Sequence, residues 1–241
     1  NLEVQIDSDS YATCKRMQVD NQGNIYCAGS TYSELGDFPD SNSPNAEIVG
    51  GGSDTFLAKF NSNGERIWVT QIGSDTTTTN LGSNTATGDE HCTKITLDHE
   101  KNVYCVGTTT GNLNDTAEGT DIFILKLNSS GVFQWLKHLG SSFESSFNSL
   151  NPSNQIDVSG EDVPAGIHVN PNGDIFVTGY SNGLHGETDA ILGAGLGRTD
   201  QDAILMKFNS SAEMQWLKNE NATDSGSDRC RDSVMDSKGN I

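Results

Sequence analysis

The chain has 241 residues, enough for one all-β domain of ordinary size or two small ones. Only 33% of them are hydrophobic and 26 are glycine, so a core must be assembled from many short elements rather than from long helices. The 33 acidic and 14 basic residues give a net charge of −19, which argues against nucleic acid and anionic membrane as partners, because phosphates would be repelled.

No apolar run approaches the ~20 residues that span a bilayer, and no targeting leader opens the sequence. Asn1 begins in the middle of a pattern, as a processed or excised segment would. The opening Leu2-Glu-Val-Gln-Ile6 resembles Trp68-Val-Thr-Gln-Ile72, and is expected to be the outer strand of a preceding unit.

The first repeated element reads Val19-Asp-Asn-Gln-Gly-Asn-Ile-Tyr-Cys-Ala-Gly29 and returns as Leu97-Asp-His-Glu-Lys-Asn-Val-Tyr-Cys-Val-Gly107 and Val169-Asn-Pro-Asn-Gly-Asp-Ile-Phe-Val-Thr-Gly179. A fourth copy begins at Met235 and breaks off at Ile241. The intervals Asn24→Asn102→Asp174→Asn240 are 78, 72 and 66 residues, one supersecondary unit each with connections of varying length. A second element follows each full copy. Residues 53–68, 120–135 and 201–216 share an Asp at the second position, a strongly apolar stretch with a Lys, an Asn-x-x-Gly or Asn-x-x-Ala turn, and a closing Trp.

Each unit therefore reads as four strands. Strand one alternates, as at Met17/Val19, Ile95/Leu97 and Ile167/Val169. An Asp- or Asn-initiated turn makes a hairpin to strand two, with Lys101 where the other copies have Gly. Strand three is nearly continuous apolar, as in Ile122-Phe-Ile-Leu125, and so must be covered on both faces. A second tight turn, with Ala212 replacing Gly in the third copy, leads to strand four. Four-stranded antiparallel sheets covered on both faces by their equivalents are blades of a β-propeller, and the alternative, a β-solenoid, has shorter coils. The expected architecture is a single, partial β-propeller over 1–241. Its blades lie at about 12–73, 90–140 and 162–217, with a partial blade at 228–241 and another before residue 12. Rings need at least four blades, so the ring is expected to continue in a longer chain or to pair between chains.

The pattern Gly-x-Asp-x-Phe-x-x-Lys-Phe/Leu-Asn-x-x-Gly, an aromatic strand, and then Gly-Asn-Ile-Tyr-x-x-Gly resembles the SBBP family of bacterial β-propeller repeats, as does Gly36-Asp-Phe-Pro39. The resemblance covers almost the whole chain. It implies a secreted or surface-attached protein without assigned catalytic residues. The longer inserts at 74–87 and 141–159 depart from the family pattern.

The two–three loops (30–53, 108–120, 180–201) and the four–one links (74–87, 141–159, 218–225) are long, whereas the other turns are short. In an up-and-down blade both long classes emerge on one face. Loops carried on a rigid scaffold are where binding concentrates. The same face collects Asp54, Asp121 and Asp202 at the starts of strand three, and Glu90, Asp162 and Asp228 before strand one. Such carboxylates are candidate calcium ligands, since hard cations take several oxygens. No Asp-x-Asp-x-Asp-Gly loop is present, Asp7-Ser-Asp9 is too short, and an Asp recurring at a strand start equally serves to cap backbone N–H groups. Trp68, Trp135 and Trp216 occupy one repeat position and are read as packing between blades rather than a sugar-stacking row. Lys59, Lys126 and Lys207 read as snorkelling strand residues.

The five cysteines follow the repeat. Cys14 and Cys27 are 13 apart, as are Cys92 and Cys105, while the third unit has Pro164 and Val177 at both places. Joint presence and joint absence predict two intra-blade disulfides, Cys14–Cys27 and Cys92–Cys105, and an oxidising exterior. A simple hairpin leaves each pair about three residues out of step, roughly 10 Å, so strand one must bulge. Cys230 would find its mate just past Ile241. Sequons stand at Asn114, Asn128, Asn209 and Asn221.

Nothing points to catalysis. His91, His99, His138, His168 and His185 are scattered, and 193–197 is a Gly run without a strand–helix setting. The expected function is a non-catalytic extracellular or cell-surface module that binds a protein or glycan through the long-loop face. The alternatives are a structural spacer of a larger surface assembly or filament, and a glycan-active enzyme drawing on Glu90, Asp162 and Asp228.

Overall fold

The computed structural model describes residues 12–32, 35, 52–74, 88–111, 113, 119–139, 161–181, 201–220 and 227–241. Leu2–Ile6, Asp7-Ser-Asp9, Gly36–Pro39, His185, the Gly run at 193–197, the sequons at Asn114 and Asn221, and nearly all of the long connections lie outside the described residues.

Twelve strands form three four-stranded antiparallel sheets, each a meander in chain order. The first holds β1 (Ala12–Val19), β2 (Ile25–Thr31), β3 (Asp54–Phe60) and β4 (Arg66–Ile72). The second holds β5 (Glu90–Leu97), β6 (Val103–Thr109), β7 (Asp121–Leu127) and β8 (Phe133–Leu139). The third holds β9 (Asp162–Val169), β10 (Ile175–Ser181), β11 (Asp202–Phe208) and β12 (Met214–Glu220). There is no helix among the described residues, and the sheets do not close into a ring.

The partial blade at 228–241 carries no strand. It keeps the turn of the other copies and leans on the third sheet through Asp228 N–H to Gln201 O at 2.6 Å. Among the described residues it has no second strand to pair with, so no ladder forms.

Every short turn is built alike. Asp20, Asn61, Asp98, Asn128, Asn170, Asn209 and Asp236 each accept, on Oδ1, the backbone N–H groups two and four residues later, at 2.8–3.0 Å. This satisfies donors that a tight turn would otherwise strand. The geometry puts the fourth turn residue in the left-handed region. Gly23, Gly64, Gly131, Gly173 and Gly239 occupy it freely; Lys101 (φ 67°) and Ala212 (φ 60°) occupy it as side-chain-bearing residues.

Strand one carries the bulge that the cysteine spacing requires. Cys14 faces Gly29 and Arg16 faces Ala28, leaving Lys15 unpaired; Thr93 is the equivalent in the second sheet. The bulge brings Cys14 to Cys27 (Cα–Cα 5.8 Å) and Cys92 to Cys105 (6.0 Å), and both disulfides form. The third sheet keeps the bulge at Ala165 without cysteines. The glycine that ends the strand-two motif follows from it, because the bulged strand passes directly over that position. A Cβ at Gly29 would stand 1.9 Å from Thr13 O, and one at Gly107 2.2 Å from His91 O. A second bulge, not foreseen from the sequence, lies before each Trp: Lys59 faces Trp68 but Phe60 faces Arg66.

The sheets stack face to face. β5 packs on β1, β2 and β3, and β9 on β5, β6 and β7. One apolar cluster joins the first and second sheets through Leu57, Ile72, Phe123 and Leu125, and another joins the second and third through Val106, Ile124, Ile167 and Met206.

Candidate functional site

The meanders place six Asx turns along one edge of the sheets, with the seventh, at Asp236, beside the Asn170 turn, and the ends of the long connections along the other edge. The candidate site is this second edge, where each strand three begins and the next strand one enters. Backbone bonds join neighbouring sheets there. Glu90 N–H donates to Ser53 O at 2.7 Å, and Asp162 N–H to Thr120 O at 2.9 Å.

Four carboxylates of this edge, Asp54, Glu90, Asp121 and Asp162, are buried and held. Gln71 Nε2 donates to Asp54 Oδ2 at 2.7 Å. Glu90 accepts the Ser74 N–H at 2.9 Å and the Thr109 hydroxyl at 2.8 Å. His138 Nε2 lies 3.0 Å from Asp121 Oδ2, and the Ser181 hydroxyl donates to Asp162. Burial pushes the Asp54 carboxyl above its ordinary value against the Gln71 hydrogen bond. Glu90 is fully buried, and desolvation, with Asp54 adding repulsion, pushes it up to about 7 despite its hydrogen bonds.

The structure brings Asp54 and Glu90 within electrostatic reach of each other. Asp121 and Asp162 lie at the equivalent joint of the second and third sheets, Asp202 opens β11, and Asp228 bridges to Gln201. Among the described residues, no three His, Cys, Asp or Glu side chains form a group that could hold a metal ion.

The three tryptophans meet an aromatic neighbour edge-on: Trp68 with Tyr26, Trp135 with Tyr104, and Trp216 with Phe176, at 6.1–6.3 Å. Trp68 also reaches across to the second sheet, donating its indole N–H to Ser129 O at 3.2 Å. The strand-three lysines cover the same rings, with Lys59 over Tyr26 and Lys126 over Tyr104, each at 5.0 Å. Lys207 differs. It sits over Phe176 at 5.5 Å and pairs with Asp174 at 2.9 Å.

A coordinated exchange, invisible to a strand-by-strand reading, explains that difference. In the first sheet Asp20 Oδ2 accepts from Asn24 Nδ2 at 2.9 Å and from Tyr26 OH at 3.3 Å; the second repeats this with Asp98, Asn102 and Tyr104. In the third, acid and amide trade places as Asn170 and Asp174, and the phenol is gone at Phe176. The carboxylate then faces Lys207. Burial and the neighbouring Asp20 push Tyr26 up to about 12, and Tyr104 is raised for the same reasons. Of the sequons, Asn128 and Asn209 fall within the described residues, each as the acceptor of an Asx turn.

No helix among the described residues is long and apolar enough to cross a membrane. Comparison with known proteins finds no match among curated sequences. Nineteen solved chains match. They include a protein of unknown function from Dyadobacter fermentans DSM 18053, 10% identical, aligned over 85% of this chain and 49% of that one with a TM-score of 0.43, so the chain spans about half that protein's length. The family model of the SBBP beta-propeller repeat matches residues 67–114, from within β4 of the first sheet to just beyond β6 of the second. The resemblance drawn from the repeated motifs therefore holds, and the chain carries an SBBP beta-propeller repeat.

Proposed function

We propose that the chain is a non-catalytic, extracellular or cell-surface propeller module that binds a protein or glycan through the edge bearing its long connections. One observation carries this reading: the short turns are near-identical copies, while every long, divergent connection leaves from the opposite edge. Two disulfides suit an oxidising exterior. The buried carboxylates of the edge serve in this reading as caps and joints rather than as calcium ligands or glycosidase groups. Melting curves with and without chelator should coincide. The main test is a glycan and surface-protein array probed with the chain and with a variant whose connections 182–200 and 141–160 are replaced by short Gly/Ser turns. Binding should be lost in the variant, and a ligand held equally by both would refute the reading.

The alternative, a spacer within a larger assembly, is favoured by one feature. Met17 and Val19 are 62% and 54% exposed, whereas their repeat equivalents Ile95 and Leu97 pack into the joint with the preceding sheet. Met17→Asp combined with Val19→Asp should disperse any assembly seen by light scattering if that face is used.

A further inference from the structure

The first strand of each sheet is its edge strand, and these edges lie together, β5 against β1 and β9 against β5. Residues 228–235, the strand-one equivalent of the partial unit, continue the row: Ser233 Oγ lies 3.0 Å from His168 Nε2 and 2.8 Å from Thr178 Oγ1. The row is charged unlike the rest of the molecule. Residues 12–19, 90–97, 162–169 and 228–235 hold Lys15, Arg16, Lys94, Arg229 and Arg231, five of the chain's 14 basic residues, against four of its 33 acids. Two of those acids, Glu90 and Asp162, are buried in the joints between sheets.

The cations gather at the level of the strand-one bulge. Lys15 is the bulged residue of β1. After burial, its charge is what holds the His91 imidazole of β5 below its ordinary value, so it faces the second sheet. Arg16 donates its Nε–H to the carbonyl of Thr93, the bulged residue of β5. Lys94 reaches past the third sheet to Asp232, Nζ to Oδ1 at 3.0 Å, and Arg231 stands at the repeat position of Lys15. The third sheet adds no charge here, having Ala165 and Gly166. Arg229 is turned aside over the Tyr180 ring at 5.2 Å. Lys15, Arg16 and Arg231 are exposed and form no ion pair among the described residues. Cations held together with one carboxylate between them repel one another and focus a positive potential, which an incoming anion relieves.

We propose that this row is an anion site for the carboxylate of an acidic sugar carried on an otherwise neutral glycan, with Lys15, Arg16 and Lys94 supplying the charge. A partner dense in negative charge, such as a nucleic acid or an acidic protein, is repelled by the rest of a chain of net charge −19, whereas one isolated acid is not. The row opens at the edge bearing the long connections, where Glu90 and Asp162 begin β5 and β9. The neutral part of the sugar then lies against that edge, a consequence that rests on the binding reading above.

The test titrates the intact chain with two disaccharides of one shape, cellobiouronate with a single carboxylate and cellobiose with none, followed by side-chain NMR. Cellobiouronate should shift Arg16 Nε–H and the Lys15 ε-methylene saturably, and cellobiose should leave both in place. Lys15→Ala combined with Arg16→Ala should weaken cellobiouronate binding by about tenfold, and Asp232→Asn, which frees Lys94, should tighten it by about twofold. Lys218→Ala removes a charge from exposed β12 and should change nothing. An equal response to both sugars, or a Lys218→Ala loss as large as that of the double variant, overturns the site. Inorganic sulfate bound as tightly as cellobiouronate, or a poly-glutamate peptide bound more tightly, overturns the sugar as its occupant. The variant with shortened connections separates this site from the edge reading. If it matches wild type on the array yet cellobiouronate binding still depends on Lys15 and Arg16, the edge reading fails and the row stands. If it loses array binding while the Lys15 and Arg16 substitutions have no effect, the row fails and the edge reading stands.

Discussion

Trp68 of the first sheet rests on Gly131 of the second so closely that a Cβ at 131 would stand 2.5 Å from the indole ring. Gly64, the same turn position one unit earlier, has nothing within 4 Å of its would-be Cβ, and the two glycines share a left-handed backbone (φ 83° and 81°). Alanine at either site meets the same backbone penalty, about 1 kcal/mol after the entropy gained by removing Gly. Gly131→Ala must also displace Trp68 and its bond to Ser129, an overpacking cost of roughly 1–3 kcal/mol more. Urea unfolding should therefore rank wild type above Gly64→Ala above Gly131→Ala. Equal losses would mean that the Trp68 contact contributes nothing to the joint.

Lys101 holds φ 67° where five other described turns of the same class and its sister class place Gly. Its turn is otherwise intact, with Asp98 accepting from Glu100 N–H and Asn102 N–H at 2.9 Å. Lys101→Gly removes a left-handed strain of about 1–2 kcal/mol and gives back part of it as Gly entropy, for a net gain of about 0.5–1 kcal/mol. The gain should appear as a higher denaturant midpoint at unchanged slope.

Glu90 couples the first joint to pH. In the unfolded chain its carboxyl ionises near the ordinary 4.5, whereas in the fold burial holds it neutral up to about 7. Its contribution to stability is thus complete below about 4.5 and is lost as pH rises through about 7, a change of about 3 kcal/mol. Asp54, shifted upward by burial, pulls the same way. His91, lowered by burial and by Lys15, pulls the opposite way, because a depressed imidazole gains stability as pH rises. Comparing wild type with Glu90→Gln isolates the glutamate. The variant should lose most of the decline between about pH 5 and 8 and be the more stable of the two at about pH 8. A parallel pair of pH curves would rule the coupling out.

The sheets were legible because the repeat is written twice in each unit, once as turn chemistry and once as apolar strand, and both agree on the boundaries. The strand-one bulge was legible for a different reason: two cysteines three residues out of register can bond only if one strand gains a residue. The second bulge, before each Trp, left no such mark, since nothing covalent depends on it. The site carboxylates were visible as repeated acids, but not their state. Whether Asp54 meets a glutamine or Asp121 a histidine is decided by β4 and β8, 17 residues away, and burial is a property of the stacked sheets rather than of any strand. The same holds for the exchange of Asp20 and Asn24 for Asn170 and Asp174, which only the facing Lys207 makes intelligible.

The disulfides staple a geometry that the fold also reaches without them. The third sheet has Pro164 and Val177 in their place and keeps the bulge, with Pro164 facing Gly179 and Gly166 facing Thr178. The backbone register is therefore set by the strand-two glycine and the turn, and the covalent bond acts chiefly on the unfolded chain. Closing a loop of this size, with a sequence separation of 13, is worth roughly 3 kcal/mol. Cys92 and Cys105 are both buried, so replacing them with Ala and Val keeps the apolar contacts while removing the bond. The double variant should lose about 2–3 kcal/mol yet keep a sheet-rich circular dichroism spectrum and cooperative unfolding. Reductant should lower the wild-type melting temperature, and any shift it still causes in the double variant belongs to Cys14–Cys27, whose strand β1 is more exposed than β5, which carries Cys92. If the double variant instead loses its sheet signal, the bond creates the bulge rather than fastening it, and the third sheet must hold its register by some means peculiar to Pro164.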